Sequence, residues 1–441
     1  MEYPIWFIPG VSKGMIIAAV SVLHVFVSQF AVGGGIYLVW MEKRAQAAGS
    51  PPALLDWLQG HTKFLLLLTM VFGALSGVGI WFTMGVANPA ATSTLIHIFL
   101  WVWAAEWVFF LLEVASLLLY HYTYPLMRAG RISARTHLRI GYIYAVAGYM
   151  SLVLINGVIC FMLTPGEALE NGSLFEAFFN PSFFPSLLFR TGLCLLLAGM
   201  FGLFTASRIK DLPTRRAVVR HNSLWVILPF LVLLAGAVWY FLALPPDRQA
   251  AMLRRSADIH PFAQAFVCVL PVIFLLGVFA YLRAEKLRLP LAVVILCSGL
   301  VLVGSFEWMR ETGRRPWVIP GYMYSSTVRP EAGLIARERG IAAVSGWVKA
   351  VPPAALDHRS APAAGLSRGE LIFAQQCGTC HAVGGPRLDI LPRVQRFAPA
   401  GLEAQIRGQG AAPLDYMPPF YGSGQDLEEL VAYLNMLRRD R

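Results

Sequence analysis

Within "FAQQCGTCHAVGG" (373–385), Cys377, Cys380 and His381 stand in the order Cys-x-x-Cys-His. That spacing lets both thiols form thioethers with one haem while the adjoining histidine takes the iron, so the motif predicts a single covalent haem c. A zinc site or no ligand at all is the competing reading, and the flanking sequence argues against it. "SRGELIFAQQC" (367–377) reads as an amphipathic helix capped by Ser367 with Glu370 three residues on. "DLEELVAYLNML" (426–437) reads as a closing helix with Leu427, Leu430, Val431 and Leu434 on one face. Between them lies "YMPPF", where Met417, 36 residues after His381 and held by two prolines, is the natural second axial ligand. His/Met ligation raises the potential of a haem c.

This motif ends a chain of 441 residues that is 57% hydrophobic and 14% charged, with mean hydropathy +0.59. Such a composition excludes a soluble globular protein and predicts an all-α, polytopic membrane helical bundle. The net charge of +11 does not mark a nucleic-acid binder, because residues 365–441 hold eight Lys/Arg against eight Asp/Glu. The excess belongs to loops of the membrane part. Cys160, Cys194, Cys268 and Cys297 fall in apolar segments and read as small buried hydrophobes, which leaves only Cys377 and Cys380 needing a chemical explanation.

Apolar stretches between charged or Pro/Gly-rich breaks predict eight spans, near 11–40, 62–85, 94–122, 138–163, 183–207, 223–244, 261–283 and 290–309. An even number places both termini on one side. The loops after the odd-numbered spans carry fifteen Lys/Arg, from Lys43 to Arg288, whereas the opposite loops hold only Arg248, Arg254 and Arg255. The positive-inside rule therefore puts both termini, and the haem c domain, outside the cytoplasm. Haem c chemistry agrees, since it belongs to that compartment. The expected location is a bacterial-type inner membrane. The first span, about 30 residues and longer than the core of a signal peptide, is expected to act as its own uncleaved export signal. The expected domains are a membrane domain over 1–312, a Pro/Gly/Ala-rich connector over 313–364 and a cytochrome c domain over 365–441.

A charge within a span costs about 2.5–3.5 kcal/mol at mid-bilayer, so each asks for a partner or a purpose. His24 sits near the middle of the first span with Gln29 the nearest strongly polar neighbour, and reads as a haem ligand. Glu106 and Glu113, seven apart and hence on one helical face, suit a haem ligand, a proton relay or ion pairs equally. Arg190 lies in the outer part of the fifth span, and Glu307, Arg310 and Glu311 at the outer end of the eighth. His61, His121, His137 and His221 read as ordinary interfacial histidines. "VGGG" (32–35) and "FGALSGVG" (72–79) allow close approach of helices or of a flat macrocycle, helix packing being the simpler reading.

"RETGRRPW" (310–317) resembles the Gly-Arg-Gln-Pro-Trp segment of subunit I of cytochrome bd quinol oxidases, with Arg315 in place of the glutamine. Four further stretches are similar and collinear: "LHVFVSQFAVGGGIYLVWME" (23–42), "TKFLLLLTMVFGALSGVGIWF" (62–82), "FFLLEVASLLLY" (109–120) and "INGVICFMLTP" (155–165). The C-terminal part is similar to class I cytochromes c. The first resemblance implies that His24 and Glu311 serve a high-spin haem b, and that Glu113 matches the second of two glutamates in the third span. The first of those glutamates, a ligand of the oxygen-reducing haem, falls on Ala105; Glu106 is one place away, and a π-bulge would restore the register. Arg190, Arg310, Arg314 and Arg315 are expected as partners of haem propionates, with Trp317 of the same segment among the cofactor-binding residues.

Departures from the family pattern matter as much. The histidine of the low-spin haem reads Arg190, residues 261–289 contain no methionine to pair with it, and the outer loop associated with quinol shrinks to about residues 245–260. The economical reading is that haem c replaces the low-spin haem as electron port. The resemblance thus implies a respiratory electron-transfer subunit with haem c and one or two membrane haems, b and/or d, that reduces oxygen to water. Its expected partners are the lipid bilayer, a cytochrome c or similar electron donor or acceptor, and a second bd-like subunit or other respiratory-complex subunits, with a quinone as a further candidate. The alternatives are a quinol-oxidising or relay module that reduces cytochrome c without oxygen chemistry, and a subunit whose membrane part has lost its haems and only anchors haem c in a larger complex.

Overall fold

The computed structural model describes residues 7–254, 258–344, 367–412 and 414–439. Helices dominate: α1 (Lys13–Ala45), α2 (Pro52–Leu67), a π-helical stretch (Leu68–Gly73), α3 (Ala74–Ala87), α4 (Pro89–Ile98), α5 (Leu100–Arg128), α6 (Ala134–Phe161), α7 (Ala168–Asn171), α8 (Leu174–Phe178), α9 (Phe183–Ala206), α10 (Leu212–Leu242), α11 (Pro246–Leu253), α12 (His260–Leu282) and α13 (Leu289–Gly313). A hairpin of β1 (Trp317–Ile319) and β2 (Met323–Tyr324) follows, then α14 (Pro330–Arg339), α15 (Arg368–Gln376), α16 (Leu391–Val394), α17 (Pro399–Arg407) and α18 (Gly424–Arg439).

Eight helical segments are long and apolar enough to cross a membrane, one for each expected span. Several outrun the apolar windows because helical hydrogen bonding does not stop at the first charge. α10, for example, begins at Leu212, capped by the Asp211 carboxylate, which accepts from Thr214 N at 2.9 Å, well before the apolar run near 223. Ser133 caps α6 in the same way through Thr136 N at 3.0 Å.

The chain divides into two compact units. One comprises Ser21–Val78 and Phe99–Arg310, the body of the membrane helices. Its close packing depends on the glycine triplet of α1. A Cβ on Gly33 would lie 1.9 Å from Cys194 O, on Gly34 2.2 Å from the Leu65 side chain, and on Gly35 2.9 Å from Ala145 Cα. Three neighbours therefore pack directly on the α1 backbone. Cys160 and Cys194 are buried as expected; Cys268 and Cys297 are instead exposed on the helix surfaces, where a bilayer accepts a small apolar group.

The other unit comprises Met1–Val20, Gly79–Ile98 and Glu311–Arg441. Its C-terminal core gathers Ile372, Phe373, Val394, Leu402, Ile406, Leu427, Leu430 and Leu434, with Ile341 among them. Residues 313–344, read from sequence as connector, are thus folded into this unit: Gly333 packs flat on the Tyr421 ring and Arg337 stands 5.2 Å over it. Their short elements are too brief to give a periodic pattern. The most linker-like part, residues 352–367, lies almost wholly outside the described residues. Asp426, fully buried, joins the pieces by accepting from Ile341 N (2.8 Å), Ser423 N (2.9 Å) and Arg368 Nη2 (3.0 Å).

Candidate haem centres

Ser367 caps α15, its hydroxyl accepting from Glu370 N at 3.2 Å, and Cys377 ends that helix. Residues 377–380 then turn tightly, with Cys380 N and His381 N both donating to Cys377 O, at 3.0 and 2.9 Å. Burial pushes the Cys377 thiol up to about 12, the Cys380 thiol adding to the rise and the Lys13 charge opposing it. His381 has Nδ1 at 3.0 Å from Leu388 O. A carbonyl only accepts, so Nδ1 carries the proton and Nε2 keeps the lone pair in this tautomer. Leu388 presents that carbonyl from a left-handed conformation (φ 47°) rarely taken by a branched side chain.

Met417 is half-buried and follows a turn in which Gly410 N donates to Leu414 O at 3.2 Å. Gly410 has φ +82°, and a Cβ there would lie 2.5 Å from Pro419, so the glycine lets the Met-Pro-Pro segment fold back tightly. Gln376 ties the two halves of the motif together. Its side-chain amide donates to Tyr421 O and accepts from Tyr421 N at 3.0 Å. Apolar side chains left partly open around this core, Val383, Ile390, Phe397 and Phe420 beside Cys377, suit a flat apolar macrocycle. Buried Thr379 Oγ1 and Gln375 Oε1 have no hydrogen-bond partner among the described residues.

In the membrane unit, His24 has Nδ1 at 3.2 Å from Ser76 Oγ. The Ser76 hydroxyl hydrogen is committed to Phe72 O at 2.6 Å, so Ser76 accepts from His24 Nδ1–H and Nε2 again keeps the lone pair. Gly77 lies over the same ring, where a Cβ would stand 3.1 Å from Cε1. "FGALSGVG" therefore makes room for the histidine as well as for helix packing. The helix also widens to the π form at Leu68–Gly73, just ahead of Ser76. The bulge that would shift Glu106 into the family register is not found in α5, which is α-helical over Leu100–Arg128; the widening occurs in the second span instead. Glu106 and Glu113 are both half-buried on α5, and the Glu113 carboxylate lies against Gly148, its Oε1 3.1 Å from where a Cβ would be.

Arg190 is 1% exposed and donates to Glu307 Oε1 at 2.9 Å, while Arg310 Nε donates to Glu307 Oε2 at 2.9 Å. The Arg190 guanidinium also stands 5.6 Å over Phe306, and its Nε has no hydrogen-bond partner among the described residues. In the other unit, Arg314 grips both Glu311 oxygens through Nη2, at 2.5 and 2.6 Å, and donates through Nη1 to Val318 O at 2.7 Å. Arg315 follows directly, and Trp317 stacks on Tyr324 with ring centroids 3.9 Å apart.

The residues overlooked from sequence are Gln376, Lys13, Glu42 and His137. Glu42 and His137 are both fully buried: His137 Nδ1 meets Glu42 Oε1 at 2.8 Å, its Nε2 meets Tyr120 O at 2.9 Å, and the Tyr120 hydroxyl donates to Glu42. Each reads from sequence as a solvated helix end, and nothing local distinguishes it.

Residues 364–434 match the family model described as cytochrome C oxidase, cbb3-type, subunit III. The structure of bd oxidase from Geobacillus thermodenitrificans is similar in fold, with a TM-score of 0.60 and 14% sequence identity over 74% of this chain and 94% of that one. No curated protein matches the chain. The protein combines a bd-like membrane fold with a C-terminal cytochrome c domain.

Proposed function

We propose that this chain is a membrane-bound respiratory electron-transfer subunit that links an extracytoplasmic haem c to haem in its membrane part, with oxygen reduced to water as the terminal reaction. The observation that carries the reading is the pair of histidines, His24 and His381, each with Nδ1 held by an acceptor so that Nε2 is the ligating nitrogen. Paired like this, an imidazole is orientated for iron and made more basic. When bound, haem supplies one-electron transfer at a potential set by its axial ligands and, where one coordination position stays open, oxygen chemistry.

Cys377 and Cys380 would hold haem c covalently, and His381 and Met417 would bind its iron. By the resemblance, His24, Glu311 and Glu106 are the residues that would serve the membrane haem, of b or d type. Glu311 is suited to this because Arg314 holds both its oxygens. Glu113 carries protons inward from the cytoplasmic side. Arg190 Nε, without a hydrogen-bond partner among the described residues, suits a propionate, as do Arg310, Arg314 and Arg315. The Arg190–Glu307–Arg310 cluster occupies the place where the resemblance puts a low-spin haem ligand, which supports electron entry through haem c. The charge bias of the loops supports the extracytoplasmic side for both termini. A cytochrome c-like donor and a second bd-like subunit complete the proposed assembly.

The deciding experiment is a CO difference spectrum of the dithionite-reduced protein, with haem counted by extraction. A CO-reactive haem alongside one covalent haem c is expected. Membrane haems that ignore CO would leave a relay, and haem c alone an anchor.

Gln376 offers a narrower check. Removing its amide in Gln376→Ala strips two buried hydrogen bonds from the Tyr421 backbone and is expected to destabilise the cytochrome c domain by about 1–3 kcal/mol. It should also weaken the Met417 charge-transfer band of oxidised haem c. An unchanged denaturation midpoint would mean the tie is dispensable.

A further inference from the structure

The first turn of α1 is built onto the haem-attachment turn. The leading amides of a helix have no partner inside it. Here Lys13 N–H donates to Gly378 O at 2.9 Å and Gly14 N–H to Thr379 O at 3.0 Å, while Met15 N–H is taken by Ser12 Oγ at 3.3 Å. Both acceptor carbonyls lie between Cys377 and Cys380. The preceding residues extend the junction: Val383 N–H donates to Pro9 O at 2.6 Å, and Phe7 meets Phe373 edge-on at 6.0 Å.

The approach is close enough to require glycine at two positions. A Cβ on Gly14 would stand 2.7 Å from Thr379 O, and one on Gly385 2.3 Å from Gly10 O. Lys13 itself is 2% exposed and lies within electrostatic range of both Cys377 and Cys380. No carboxylate among the described residues forms an ion pair with it.

We propose that Lys13, set on the attachment turn by the amino end of α1, raises the midpoint potential of haem c. Oxidised haem iron carries one more positive charge than reduced iron. A buried ammonium beside the turn that bears both thioethers therefore disfavours the oxidised form, because little water is present to screen it. The amino end of α1 adds partial positive charge of the same sign. Lys13 is a positioning residue for the potential and touches no substrate. The inference rests on the reading that Cys377 and Cys380 carry haem c.

The test is a spectroelectrochemical titration of haem c in the full-length, haem-loaded protein. Lys13→Met is expected to lower the midpoint by 59 mV or more, a tenfold fall in the reduced-to-oxidised ratio at fixed poise. Lys13→Arg, which keeps the charge, should stay close to wild type. Gly14→Val should also lower the potential, because it pushes α1 off Thr379 O while leaving Lys13 in the chain. Equal potentials in wild type and Lys13→Met, with haem c content unchanged, overturn the proposal. Should Lys13→Met fail to load haem, the other two variants decide: a fall in Gly14→Val with a wild-type value in Lys13→Arg supports it, and equal values in both overturn it. A wild-type protein without covalent haem by pyridine haemochrome assay would overturn the attachment site itself, which separates the two failures.

Discussion

Replacing His24 with alanine is expected to abolish the haem of the membrane part while leaving haem c in place. Haem extraction should then show the ratio of non-covalent to covalent haem falling to zero, and the CO-reactive signal and oxygen uptake should vanish with it. The argument turns on protons. Ser76 gives its hydrogen to Phe72 O and so can only accept from His24 Nδ1, which leaves Nε2 as the lone-pair nitrogen. Ser76→Ala keeps the imidazole but frees its tautomer and rotation. Loss of such an outer partner lowers metal affinity by roughly 10–100-fold, so this variant should retain haem that dissociates readily on dilution. A His24→Ala protein with its non-covalent haem intact would remove His24 from the ligand set and leave Glu106 or Glu113 as the first candidate.

His137→Ala is expected to cost about 3–5 kcal/mol, the penalty for leaving a buried charge without its partner. Glu42 is fully buried, with its oxygens facing His137 Nδ1, Gln46 Nε2 (2.5 Å) and the Tyr120 hydroxyl. Both His137 nitrogens face acceptors, Glu42 and Tyr120 O, so the ring holds α1, α5 and α6 together through one imidazole. The measurement is thermal unfolding in detergent. Combining His137→Ala with Glu42→Gln should destabilise less than the sum of the two, since each removes the same pair. Additive effects would show that the two residues act independently.

The eight spans and the cytochrome c motif were legible because their signals are local. A span is a run of apolar residues, and Cys-x-x-Cys-His and the Ser367 cap are fixed by spacings of a few residues. His24 was legible for a related reason, since a polar side chain amid an apolar run is costly and calls for an explanation. The residues missed are those whose role comes from a distant partner. Glu42 and His137 lie on different spans, Gln376 meets the backbone of Tyr421, and Lys13 meets a turn near the other end of the chain.

The amino-acid sequence by itself determined how much of this chain lies in the membrane, where a haem can be covalently attached and which histidine in the first span is chemically conspicuous. Tertiary structure alone decided that Arg190 ends in a buried cluster with Glu307 and Arg310, that residues 313–344 of the apparent connector fold with the C-terminal unit, and that α1 begins on the turn between Cys377 and Cys380. The division follows from the forces. Hydropathy and turn geometry act between near neighbours and leave a periodic trace. Buried ion pairs and helix-end hydrogen bonds join residues far apart in the chain, and become determinate only once the fold has removed water from between them.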